Sequence, residues 1–164
     1  MKVKIIKRSQ CGEVQRSDFT RIIALEPEFA DGYIKRGMAR RELGDHKGAI
    51  ADFNKALVIE PENGDAYQNR GVVRSKTGDY AGAITDFSKA ISFDPSDKFA
   101  YMNRGLTKSL MKDYSGAIVD FNRAEEISPG DSVTIFNCGL TRFLQRVLGG
   151  AWNDFNKVLA ISPS

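Results

Sequence analysis

The residues able to make or break covalent bonds are few, and their spacing argues against catalysis. His46 is the one histidine in the 164-residue chain, and it occupies a register held elsewhere by Tyr80, Tyr114 and Leu148, so packing accounts for it and no catalytic triad is expected. Cys11 and Cys138 lie near opposite ends without metal-ligand or redox spacing, which reads as two reduced thiols with no shared role. Glu125 and Glu126 sit on an expected helix surface with no apolar pocket to make either a general acid. The pair Gly149-Gly150 lacks the strand, helix and lysine context of a phosphate loop, and reads as a turn between helices. With no nucleophile and base to name, the chain is expected not to be an enzyme and to need no cofactor or metal.

What chemistry remains is recognition, and its positioning elements are written in a repeat. Pro27, Pro61, Pro95, Pro129 and Pro163 fall on one arithmetic series, and they are all the prolines in the chain. The pairs Asp18-Phe19, Asp52-Phe53, Asp86-Phe87, Asp120-Phe121 and Asp154-Phe155 keep the same step, as do Ala49, Ala83, Ala117 and Ala151, and Gly37, Gly71, Gly105 and Gly139. Within residues 64–97, apolar and small residues recur three and four apart in two stretches separated by Thr77-Gly78-Asp79, which predicts two helices joined by a tight turn. The first is expected from about Asp65 to Lys76, ending at a left-handed Gly78. The second is expected from about Tyr80 to Phe93, with Pro95 beyond it to stop the helix. Gly71 and Ala83 let the two helices approach, while Phe87 and Ala90 fill their seam. One hairpin cannot bury both its faces, so units must stack on one another.

A two-helix unit of about 34 residues with aromatic, Gly, Ala, Phe, Ala and Pro in register resembles the tetratricopeptide repeat. The pattern fits Tyr33, Gly37, Gly44, Ala49, Phe53, Ala56 and Pro61, then Tyr67, Gly71, Gly78, Ala83, Phe87, Ala90 and Pro95, then Tyr101, Gly105, Ala117, Phe121, Ala124 and Pro129. A fourth unit keeps Gly139, Ala151, Phe155 and Pro163 but has Ile135 and Val158 at the aromatic and second-alanine registers. The resemblance implies an all-α, right-handed superhelix of antiparallel helical hairpins forming a single domain over 1–164. Its parts would be a partial leading repeat (1–29) and full repeats at 30–63, 64–97, 98–131 and 132–164.

Departures from the family pattern carry information. Where the family has leucine before the first-helix glycine and an aromatic after it, this chain has Arg36 and Arg40, Arg70 and Arg74, Arg104 and Lys108. Asp52, Asp86 and Asp120 stand on the second helices where the family often has an aromatic. Opposite charges gained at matched registers predict a ladder of ion pairs between helices, read as a structural device that sets register, with an anion-binding site as the alternative.

In the family, the first helices line the concave surface. The resemblance therefore places Lys35, Asn69, Asn103 and Asn137 along a groove, one per unit. An amide offers one acceptor and two donors, so such a ladder can hold the N–H and C=O of an extended peptide whatever its side chains. It is similar to the asparagine ladder in the tetratricopeptide superhelix of the nuclear and cytoplasmic N-acetylglucosaminyltransferase. Net hydrogen bonds contribute about 0.5–1.5 kcal/mol each, short of the roughly 8 kcal/mol of micromolar affinity, so side-chain pockets must supply the rest. The same face adds Gln68, Val72, Ser75 and Lys76, then Phe99, Met102, Leu106 and Leu110, then Val133, Phe136, Leu140, Phe143 and Leu144, turning from polar to apolar toward the C-terminus. A partner peptide with a large apolar anchor is expected there. The clamp that co-chaperones use for acidic chaperone tails is not matched: Ile34, Met38, Phe99 and Asn103 stand at its positions around Asn69.

Composition sets the outer bounds. With 41% apolar and 27% charged residues and a net charge of +3 spread along the chain, no basic block points to nucleic acid and no apolar run points to a membrane span or secretory signal. A cytoplasmic module that binds a protein or peptide partner is the expectation. The alternative is a structural oligomerisation scaffold, or a regulatory fragment of a larger multi-repeat protein, self-associating through its terminal repeats, where Leu148, Trp152 and Leu159 are expected to be partly exposed.

Overall fold

The computed structural model describes residues 16–161, and all regular structure among them is helical. Helix α1 covers residues 16–25. It is followed by α2 (Ala30–Glu42), α3 (His46–Ile59), α4 (Gly64–Lys76), α5 (Tyr80–Phe93), α6 (Lys98–Leu110), α7 (Tyr114–Ile127), α8 (Ser132–Leu144) and α9 (Leu148–Ile161). The two helices predicted within 64–97 thus begin and end within one residue of expectation. Of the leading partial repeat, only residues from 16 onward are described; Cys11, and Pro163 at the other end, lie outside the described residues.

Two compact units divide between Asp79 and Tyr80. In the first, α3 packs against both α2 and α4, and α2 also touches α4. In the second, α6 packs against α5 and α7, α8 against α7 and α9, and α6 touches α8. The first helices of hairpins are therefore neighbours within each unit, which is the arrangement that makes a shared wall.

Short side chains start and stop these helices. The carboxylates of Asp45, Asp97, Asp113 and Asp131 and the amide oxygen of Asn63 accept backbone N–H bonds from the first turns they precede. At the end of the first helix of each hairpin, one residue turns left-handed: Gly44 (φ +82°) and Gly78 (φ +89°), as glycine allows, but also Lys112 (φ +64°) and Arg146 (φ +65°), where a side chain is strained. Gly149 and Gly150, expected in a turn, lie instead in the first turn of α9, and the turn itself is formed around Arg146. Gly150 is small because Arg142 crosses it: a Cβ there would lie 2.9 Å from Arg142 Cδ.

In the hairpins α2–α3, α6–α7 and α8–α9 the seam is made by a phenylalanine against a glycine. Phe53, Phe87 and Phe121 are fully enclosed. A Cβ at Gly37 would stand 2.8 Å from the Phe53 ring, and one at Gly105 would stand 3.0 Å from Phe121 and 3.2 Å from the Ala117 carbonyl oxygen. Each buried phenylalanine stabilises the fold by about 1.5–3 kcal/mol, and the missing Cβ is what admits the ring.

Beside this seam lie the expected ion pairs. Arg36 donates from Nε and Nη2 to Asp52 at 3.0 and 2.7 Å, and Arg40 Nη1 lies 2.7 Å from the same carboxylate. The bond to Asp52 holds the Arg36 guanidinium above its ordinary pKa. In the second unit Arg104 repeats the fork on Asp120 at 3.0 and 2.7 Å, with Lys108 Nζ 2.8 Å away. Both aspartates are buried, as is Asp86. A further rung joins Arg142 to Asp154, and here the other cation is missing because Cys138 stands in the register of Arg36 and Arg104. Each arginine fork also lies over a tyrosine one turn before it, Arg36 over Tyr33 and Arg104 over Tyr101 at 5.6 Å, and Arg70 lies over Tyr67 at 5.3 Å.

Candidate peptide-binding site

In the second unit, helical spacing puts Phe99, Met102, Asn103, Leu106 and Leu110 on one face of α6, and Val133, Phe136, Asn137, Leu140, Phe143 and Leu144 on one face of α8. The opposite sides are committed elsewhere. Ala100, Gly105 and Thr107 of α6 and Thr134, Ile135, Cys138, Gly139 and Thr141 of α8 are buried, and Thr141 Oγ1 meets Ser109 Oγ at 3.2 Å where the two helices touch. What remains open is apolar: Phe99, Leu110, Val133, Phe136, Leu140, Phe143 and Leu144 are all exposed, while Met102 and Leu106 are half-buried against the core. The Phe136 ring leans on Phe155 of α9, with centroids 5.8 Å apart. At the C-terminal end of α8, Phe143, Leu144, Arg146 and Leu148 line a recess of about 420 Å³.

The polar groups on this face are the amides of Asn103 and Asn137. Both residues are half-exposed, and their main-chain carbonyls accept bonds from Thr107 and Thr141. Among the described residues, no hydrogen bond engages either side-chain amide.

The first unit is built differently at the matching registers. Lys35 is exposed and pairs with Asp31 at 3.6 Å. Asn69 has both ends of its amide engaged, its oxygen accepting from Arg41 Nη1 at 2.9 Å and its nitrogen donating to the Asp65 carbonyl at 2.8 Å. Gln68 also has an interaction partner, Val72 is half-buried, and Lys76 is exposed. Arg41 is the residue that sequence spacing missed. At the register that Arg41 holds relative to Asn69, Asn137 is preceded by Ser109, too short to reach the amide. That single difference leaves one asparagine spoken for and the other open.

Cys138 lies beneath the α8 face. Its thiol is buried, donates toward Asn122 Oδ1 at 4.0 Å, and has its pKa pushed up to about 11, first by burial and further by Asp154, against a lowering by Arg142. Such a thiol is a poor nucleophile at neutral pH. Among the described residues, no cluster of three or more His, Cys, Asp or Glu could hold a metal ion, and no helix is long and apolar enough to cross a membrane.

Comparison with known proteins places these features. Residues 37–78 match a family model described as TPR repeat, and residues 64–97 and 100–131 match models described as tetratricopeptide repeat. No curated protein matches the chain in sequence. Among solved structures, it is similar to MamA 41-end from Desulfovibrio magneticus RS-1 (TM-score 0.86, 21% identity, 98% of this chain and 93% of that chain). It is also similar to YrrB, a TPR protein with an unusual peptide-binding site (TM-score 0.80, 22% identity, 98% and 83%). A third similar structure is PilW, a widely conserved type IV pilus biogenesis factor (TM-score 0.86, 20% identity, 94% and 72%). At these identities the likeness is one of fold. The hairpin with a glycine–phenylalanine seam, repeated at a constant step and matched by family models across 37–131, means that this chain belongs to the tetratricopeptide repeat family.

Proposed function

We propose that the second unit captures an extended peptide segment of a partner protein on the face shared by α6 and α8. Tetratricopeptide repeats are in general non-catalytic protein-interaction modules, which supports the coarse reading. The observation that carries the finer one is the pairing of two unengaged amides, Asn103 and Asn137, with an exposed apolar surface on both helices. The amides would hold peptide backbone, and Phe99, Met102, Leu106, Phe136 and Leu140 would receive an apolar anchor side chain. Two amide contacts supply about 1–3 kcal/mol of the roughly 8 kcal/mol that micromolar binding needs, so the anchor dominates affinity and the amides set peptide direction.

A display library of short linear peptides tests this. Selected peptides are expected to share one large apolar residue, to lose at least about tenfold in affinity on Leu140→Asp, and to lose about five- to a hundred-fold on joint Asn103→Ala and Asn137→Ala. Asn69→Ala should leave them unchanged, because its amide is already engaged. Selected peptides indifferent to both sets of changes would end the reading. The alternative, a structural oligomerisation scaffold, is favoured by the same apolar exposure and predicts a multimer in solution whose dissociation follows Leu140→Asp.

A further inference from the structure

The two helices that carry the α6–α8 face present one order of chemistry along their length. On α6 it is Asn103, Leu106, Leu110 and, just past the helix end, Lys112; on α8, at the same registers, it is Asn137, Leu140, Leu144 and Arg146. Leu110, Leu140 and Leu144 are exposed and Leu106 is half-buried, so each row runs from an amide over apolar surface to a cation. The first unit has no such row. At these registers α2 has Lys35, Met38, Glu42 and then Gly44, and α4 has Asn69, Val72, Lys76 and then Gly78.

The cations stand where backbone geometry favours glycine. Lys112 and Arg146 take φ of +64° and +65°, in the turn that Gly44 and Gly78 make without strain. Both are exposed, and among the described residues no carboxylate pairs with either. Every other cation of the second unit has a carboxylate within 4.0 Å, except Lys89 of α5. A cation near a helix C-terminus offsets the partial negative charge of the last carbonyls. That need does not explain these two, because Lys108 and Arg142 already lie in the last turns of α6 and α8. Arg146 also borders the recess that Phe143, Leu144 and Leu148 line, so charge and apolar surface are continuous there.

We propose that Lys112 and Arg146 form an acid-recognising edge of the α6–α8 face, so that the captured peptide segment carries an aspartate or glutamate side chain beyond its apolar anchor. The inference rests on the peptide-capture reading and adds to it the charge of the segment and the spacing of its contacts. Lys112 follows Asn103 by nine residues, as Arg146 follows Asn137, which is about 13 Å along a helix at 1.5 Å per residue. An extended chain crosses that distance in about four residues at roughly 3.3 Å each. A segment lying along the two helices therefore puts its backbone on Asn103 and Asn137, its anchor over Leu106 and Leu140, and its acid about four residues from the amide-held position. Two cations on one edge and none of the second unit's carboxylates paired with them make that end of the face selective for negative charge.

The test selects random short peptides on the full chain, each flanked on both sides so that no free chain terminus is offered and any carboxylate is a side chain. Selected sequences are expected to share an aspartate or glutamate about four residues from the amide-held position, together with one large apolar residue. Replacing that acid by its amide in a synthetic copy should lower affinity about three- to tenfold, the scale of two exposed ion pairs. Joint Lys112→Gln and Arg146→Gln in the chain should cost the same, with no further loss when the two changes are combined. The effect should fade in about 1 M sodium chloride, where exposed charges are screened. Joint Lys112→Arg and Arg146→Lys should keep the affinity, and Lys89→Gln, which removes a charge from α5, should not alter it. Peptides that respond to Leu140→Asp but carry no acid, or that bind the Lys112→Gln and Arg146→Gln chain as tightly as the unaltered one, overturn the acidic edge and leave peptide capture standing. Peptides indifferent to Leu140→Asp, or a library without binders, overturn both.

Discussion

Removing Asp120 tests whether the charged rungs are structural. Its side chain is 2% exposed and takes two bonds from Arg104 and one contact from Lys108, whose own side chains are 19% and 20% exposed. Asp120→Ala leaves two half-buried cations facing each other with nothing between them, which costs about 3–5 kcal/mol. The joint change Arg104→Ala and Lys108→Ala leaves the aspartate enclosed without a partner, at a similar cost of about 3–5 kcal/mol. Removing all three eliminates the desolvation penalty along with the attraction, so the triple variant should lose only about 3 kcal/mol, mainly from lost packing of the arginine stem. Simple addition predicts about 6–10 kcal/mol, and the coupling is therefore about 3 kcal/mol or more.

Urea unfolding followed at Trp152 reads the second unit directly, since the chain has no other tryptophan. Sodium chloride at about 1 M should change the coupling little, because the pair is shielded from mobile ions. A sum of effects additive to within about 0.5 kcal/mol would refute the reasoning, since it would mean that water already screens the rung. Asp120→Asn is the control for volume: it keeps the size of the side chain and removes its charge, so it should cost nearly as much as Asp120→Ala if charge is what holds the rung.

Two further outcomes are expected. Lys112→Gly and Arg146→Gly relieve left-handed backbone at positions where the earlier hairpins have Gly44 and Gly78, and each should raise stability by about 0.5–1 kcal/mol in urea titrations; a lowered midpoint would show that these side chains hold something worth more than the strain. Cys138 keeps its proton in the fold up to about pH 11 while the unfolded thiol loses it near 9.0, so stability should be full below pH 9 and decline from there toward pH 11. Cys138→Ala should abolish that component, and parallel pH profiles for the two proteins would contradict the assignment.

Much of the architecture can be read from residue order because a helix is a local object. Three- and four-residue spacing, an aspartate or asparagine before the first turn and a proline after the last fix where a helix lies without reference to anything distant, which is why Tyr80–Phe93 lies where its spacing predicts. The rungs are legible for a related reason: Asp52 and Asp120 follow their paired cations at the same two offsets, and one hairpin brings that spacing together each time. Two adjacent glycines look like a turn locally, and Gly149-Gly150 misleads for that reason. Only the path of Arg142 toward Asp154 shows that Gly150 clears space for a side chain inside a helix.

Which amides are open is not legible. Asn69, Asn103 and Asn137 are equivalent in the repeat, yet Arg41 reaches across from α2 to close the first, and Ser109 leaves the third alone. Periodic sequence specifies the helices and the hairpins because backbone hydrogen bonds and capping act over a few residues. Whether a polar side chain is satisfied, and whether an apolar face is covered, depends on groups tens of residues away, and these meet only when helices pack at particular distances and angles.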